Sequence, residues 1–78
     1  METTINQKIT SVQFDGEFMI IQSGTQSYKW KITEISKKLF KASESERNNF
    51  QISPSGYGIH WPLIDEDLSL IGLLHNRK

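Results

Sequence analysis

Two groups of residues in this chain have the types and spacing to do chemistry. The first is Asp65-Glu66-Asp67, a short way beyond His60. Carboxylate oxygens with an imidazole could hold a divalent cation. The spacing lacks the glycine and distal glutamate of an EF-hand loop, however. Aspartate at a helix start has a plainer use, accepting from orphan amides, worth about 0.5–2 kcal/mol. That use outweighs a metal site, so no metal or cofactor ligand is assigned. An acidic cluster can also face a basic partner, which makes Asp65, Glu66, Asp67 and His60 the candidate partner-binding residues. For His60 to act as a catalytic base, the fold must bring it a nucleophile and an orienting third group. Serines are plentiful here, so a Ser–His–Asp coincidence carries no weight and no catalytic residue is assigned. The alternation turns His60 away from Ile59 and Trp61, onto a surface or an edge.

The second group is Lys29, Lys31, Lys37, Lys38 and Lys41, which share their stretch with one acid, Glu34. Farther on, Glu44, Glu46, Asp65, Glu66 and Asp67 face only Arg47. A net charge of zero thus hides a sign asymmetry along the chain. The lysines could touch phosphates, which makes nucleic acid the alternative partner. No aromatic interleaves among them on one strand face to read bases. Their ordinary role is a solvated face, and lysine on an outer strand also discourages edge pairing. Tyr28, Trp30, Tyr57 and Trp61 alternate with polar residues, a pattern that assigns them to the core rather than to an exposed stacking platform.

The elements that must position these groups are short. At 78 residues the chain is expected to form a single domain, 1–78, with a modest core. A domain of this size buries only about 60% of its unfolded surface. It has no cysteine to supply a disulfide, which fits a reducing cytoplasm. The N-terminus lacks the apolar core of a signal peptide. The longest apolar run, Phe18-Met19-Ile20-Ile21, is far below the roughly 20 residues that span a bilayer.

Residues 1–6 are expected to be frayed. Val12 and Phe14 alternate with polar residues in a strand over 8–14, and Ile9 lies off that register, so the strand starts late or carries a bulge. Asp15-Gly16 reads as a type I′ hairpin turn. A second strand over 17–22 has four apolar residues in a row, which suggests both faces are partly covered. After Ser23-Gly24-Thr25, a third strand over 27–32 puts Tyr28, Trp30 and Ile32 on one face and Lys29 and Lys31 on the other. Thr33 is placed to cap a helix over 34–42 carrying Ile35, Leu39 and Ala42 on one side. Ser43-Glu44-Ser45-Glu46 has the capping-box spacing. Short strands over 50–52 and 57–61 follow, the second ended by Pro62. Ser69 or Asp67 then caps a final helix with Leu70, Ile71, Leu73 and Leu74, before a loose basic tail at 75–78. The expected fold class is α+β: a three-stranded antiparallel meander plus a C-terminal hairpin, one main helix packed on the sheet and a short C-terminal helix, in the order βββαββα.

The segment Phe50-x-Ile52-Ser53-Pro54-Ser55-Gly56-Tyr57-Gly58-Ile59-His60-Trp61-Pro62, with Asp65-Glu66-Asp67-Leu68-Ser69 and Gly72-Leu73-Leu74 behind it, resembles the bacterial domain-of-unknown-function family 2442. The Val12-x-Phe14 strand, Phe18 to Ile21, and an aromatic strand leading into a helix extend the resemblance over nearly the whole chain. It implies a small bacterial or phage protein, with no catalytic residues to carry over. It also implies a gene that often lies beside that of another small protein, in an arrangement similar to a toxin–antitoxin pair. The expectation is a non-catalytic, cytoplasmic, regulatory protein-interaction module that binds a protein partner or itself, with no membrane and no small-molecule substrate. The alternative is a nucleic-acid-binding accessory protein using the five lysines. An enzyme would need a pocket of convergent polar groups, for which so short a chain has little material within one subunit.

Overall fold

The computed structural model describes residues 8–75. The expected frayed start at 1–6 and most of the expected tail, 76–78, lie outside the described residues. Strands β1 (Ile9–Asp15), β2 (Phe18–Ser23) and β3 (Gln26–Lys31) form an antiparallel meander. Three short helices follow: α1 (Ile32–Ile35), α2 (Lys37–Lys41) and α3 (Glu44–Arg47). Strands β4 (Gln51–Ile52), β5 (Gly58–Trp61) and β6 (Glu66–Ser69) make a second three-stranded antiparallel sheet, and α4 (Leu70–His75) closes the described chain. The fold class is α+β.

The meander follows its alternation. The register pairs Val12 with Ile21, Phe14 with Met19, Met19 with Trp30 and Ile21 with Tyr28, so these side chains share the inner face. Ile9 reaches that face because the register shifts between Ile9 and Ser11, which places a bulge at Thr10. The first hairpin turn is one residue later than Asp15-Gly16 suggests, whereas the second falls within the expected Ser23-Gly24-Thr25. Asp15 pairs with Phe18 and Ser23 with Gln26, which leaves Gly16-Glu17 and Gly24-Thr25 as the loops. In each loop only the glycine has a positive φ, 61° and 62°, which fits a type II′ turn rather than type I′. Among the described residues, no second layer covers the outer face. Phe18 is exposed there, with the Lys29 ammonium 4.6 Å from its ring centroid.

The core joins both sheets. Val12, Met19 and Ile21 meet Ile59 and Trp61 from β5, Leu39 from α2, and Leu70 and Leu73 from α4. Trp61 is fully buried, and its indole Nε1 donates to the Arg47 carbonyl at 2.9 Å. Ile32 is also buried, whereas Tyr28, Trp30 and Tyr57 are only half-buried.

The helix expected over 34–42 is two helices broken at Ser36, which is extended (φ −163°, ψ 114°). Thr33 lies inside α1 and caps nothing; the N-cap is Lys31, without a side-chain bond. Ser36 is the cap that matters. Its hydroxyl accepts from the Leu39 amide at 3.1 Å and donates to Glu66 Oε2 at 2.5 Å. The capping box at Ser43 and Glu46 forms, with bonds of 3.1 and 2.9 Å. The C-terminal hairpin gains a third strand, β6, over residues the sequence assigns to a loop and a helix cap. Ser69, not Asp67, caps α4 by accepting from the Gly72 amide at 2.9 Å. His75 ends α4 rather than starting the tail.

Candidate functional site

The acidic trio is divided by strand alternation. Asp65 sits in the turn before β6 at φ 54°, a left-handed conformation that aspartate tolerates better than most residues. Its carbonyl accepts from Lys38 Nζ at 2.8 Å. Glu66 pairs with Trp61 across the sheet and turns inward to Ser36. Asp67 pairs with His60 and turns outward. There His60 Nδ1 and Asp67 Oδ1 lie 2.7 Å apart, with side chains 42% and 72% exposed. The structure therefore unites the side chains of His60 and Asp67, while the Glu66 carboxylate turns to Ser36 and to the Asp67 amide.

Beside this pair is a shallow hollow of about 300 Å³ lined by Ser53, Gly58 and Ser69. An imidazole held by a carboxylate is the orienting half of a nucleophile–base arrangement. The nearby hydroxyls serve the backbone instead: Ser53 Oγ accepts from the Gly58 amide and Ser69 Oγ from the Gly72 amide. Among the described residues, no three of His, Asp and Glu gather as a metal site requires.

The lysines fall on two elements. Lys29 and Lys31 stand on the outer face of β3, where Lys31 Nζ lies 3.9 Å from Glu17 and Lys29 covers Phe18. Lys37, Lys38 and Lys41 lie on α2, with Lys38 committed to the Asp65 carbonyl.

A groove of about 870 Å³ lies between the two sheets. Lys29, Trp30 and Lys31 of β3 line one side and Asp67, Leu68 and Ser69 of β6 the other, above Ile35 and Leu73. Both strands are sheet edges. Antiparallel ladders aim the main-chain groups of alternate residues at the neighbouring strand. The Ile32 amide donates to the Glu17 carbonyl, so the even-numbered residues of β3 face β2, and Lys29 and Lys31 direct their amides outward. The Leu70 amide donates to the Tyr57 carbonyl, so Glu66 and Leu68 face β5, and Asp67 and Ser69 direct theirs outward. The Asp67 amide is met locally by Glu66 Oε1 at 3.0 Å. Sequence reasoning missed this groove because it missed β6. The signal was present as alternation: Glu66 and Leu68 inward, Asp67 and Ser69 outward.

Two small antiparallel sheets on one core, linked by short helices, define the class: a compact α+β protein in which one edge strand of each sheet borders a groove. Residues 9–78 match the model of a family described as protein of unknown function (DUF2442), and the chain belongs to that family. It is also similar to the crystal structure of a protein of unknown function from Rhodospirillum rubrum ATCC 11170. That likeness has a TM-score of 0.73 and 25% identity, over 90% of this chain and 87% of the other. No curated protein matches the chain. No helix among the described residues is long and apolar enough to cross a membrane.

Proposed function

We propose that this protein is a non-catalytic regulatory interaction module that takes another protein chain along its free sheet edges, as the antitoxin-like member of a pair encoded with a neighbouring small protein. The observation that carries the reading is the groove between β3 and β6, where two unpaired edges stand over an apolar floor of Ile35 and Leu73. Strand addition to an exposed edge supplies affinity through main-chain bonds and specificity through alternate side chains. A non-catalytic role is supported by the exposure of the His60–Asp67 pair, because water weakens the electrostatics that catalysis needs. The test is co-expression with the neighbouring gene product, affinity capture and size-exclusion chromatography. Co-elution that is lost when Lys29 and Lys31 are both changed to Glu supports the module. A stable monomer that never captures the neighbour sinks it.

One observation favours a second reading, an accessory nucleic-acid binder. Phe18 lies exposed on the same face as Lys29 and Lys31, an aromatic among cations. Binding would then weaken steeply with salt in fluorescence anisotropy, as neutralised phosphates release counterions. Salt-independent binding, or none, removes it.

A further inference from the structure

The groove between β3 and β6 carries on its two sides the halves of one complementary contact, and we infer that its occupant is a second copy of this chain, β3 of each copy pairing antiparallel with β6 of the other. The inference rests on the reading of the groove as a docking surface and names what fills it in the absence of the neighbouring gene product, which must compete for the same edges.

Three independent features of the two edges agree. The first is main-chain parity. Lys29 and Lys31 direct their amides out of β3, and Asp67 and Ser69 direct theirs out of β6. Residues paired by hydrogen bonds across an antiparallel ladder put their side chains on the same face of the sheet. Placing Lys31 opposite Asp67 of the second copy, and Lys29 opposite its Ser69, satisfies that rule, because all four side chains already occupy the outer faces of their sheets. A one-residue slip would set a lysine against Leu68.

The second is charge. The lysines of β3 repel an ordinary edge, and a directly opposed opposite charge contributes favourably across strands. In the pairing, Lys31 meets Asp67. Lys31 has only a distant intrachain partner, Glu17 at 3.9 Å, and Asp67 is 72% exposed beside His60, so both retain bonding capacity. The third is the inner face. The same register brings half-buried Trp30 against half-buried Leu68, above Ile35 and Leu73, and so covers the apolar floor of the groove. One local bond must be exchanged, that from the Asp67 amide to Glu66 Oε1. The Lys29, Lys31 and Ser69 amides gain partners.

Sedimentation velocity of the full chain over a concentration series, with amide hydrogen exchange by NMR at both ends of it, tests the inference. The expected result is a reversible dimer, weaker at high salt. Lys29, Lys31 and Ser69 amides should become protected only at high concentration, while Trp30 and Leu68, bonded within each sheet, are protected throughout. Lys31→Glu and Asp67→Lys should each weaken the dimer at least about tenfold, and the double exchange should restore it. A dimer indifferent to both changes, a double exchange that restores nothing, or concentration-independent protection of all five amides overturns the inference. So does a wild-type chain that stays monomeric. If that monomer still captures the neighbouring gene product, the interaction module stands and only its occupant is wrong. If it captures nothing, both fall.

Discussion

Replacing Ser36 by alanine removes two side-chain hydrogen bonds at one buried position. The hydroxyl accepts from the Leu39 amide, capping α2, and donates to Glu66 Oε2 on β6. Loss of a serine N-cap costs about 1 kcal/mol. A hydrogen bond to a charged acceptor contributes about 1.5–3 kcal/mol, reduced to about 1 here because the pair is only partly buried. The expected loss is therefore about 2 kcal/mol. Native stability scales at about 0.05–0.15 kcal/mol per residue, or about 4–12 kcal/mol for this chain, so the loss is a large share. It corresponds to a fall in Tm of roughly 8–16 °C. Urea unfolding followed by fluorescence of Trp30 and Trp61 measures it, with an unchanged slope as the check that only stability moved. Two controls define the reasoning. Ser43→Ala opens an exposed capping box and should cost about 1 kcal/mol. Thr33→Ala touches no cap and should stay within about 0.5 kcal/mol of wild type. If Ser36→Ala costs no more than Ser43→Ala, or if Thr33→Ala costs as much, Ser36 is not the joint between helix and sheet.

Trp61→Ala should lose about 3–5 kcal/mol in the same urea assay, since it empties the fully buried centre of the core and leaves the Arg47 carbonyl without its donor. Phe40→Ala, on the exposed side of α2, should change stability by less than about 0.5 kcal/mol; a larger loss would mean Phe40 is covered. Gly56→Ala should cost about 1–2 kcal/mol in thermal unfolding, because Gly56 has φ 87° and a Cβ there would also meet the Lys8 side chain at 2.5 Å. Asp65→Gly should match or exceed wild-type stability, since glycine takes φ 54° without strain and the Lys38 bond uses only the backbone carbonyl; a marked loss would assign the Asp65 side chain a structural role.

How much of this was legible depended on whether the deciding interaction was local. The meander was readable because Tyr28 and Trp30 alternate with lysines and glycines mark both turns; only the turn type and the first turn's one-residue offset were missed. The Ser43–Glu46 box was readable because both its bonds span three residues. The break at Ser36 was not, because residues 34–42 satisfy helix periodicity and the carboxylate that anchors Ser36 lies thirty positions away. Strand β6 was hidden by composition. Asp-Glu-Asp is poor strand material and good cap material, so its alternation with Leu68 and Ser69 was outweighed. The run Phe18 to Ile21 suggested two covered faces; among the described residues, the outer face has the Lys29 side chain over Phe18 and no packed layer. The acidic cluster beside His60 was half legible as an arrangement: His60 and Asp67 meet, but the tertiary register that turns the Glu66 side chain toward Ser36 leaves no local trace.

The two edges that border the groove raise a problem of closure that the sequence alone could not pose. An exposed edge strand is a template for any other, and lysines on β3 suppress indiscriminate pairing. They do not suppress pairing with an edge that places a carboxylate at the matching parity, and β6 is such an edge on the same chain. A chain with both halves of a contact can use them in two ways. Head-to-tail pairing would leave one β3 and one β6 open at every step and would grow without limit. Twofold pairing consumes the groove edges β3 and β6 of both copies at once and stops. Because β3 and β6 of one chain border a single groove rather than opposite sides of the molecule, two grooves can meet face to face, which is the arrangement that closes. Mass that stops at two copies is therefore the signature of this arrangement, and mass that climbs with concentration would place the two edges in an open chain instead.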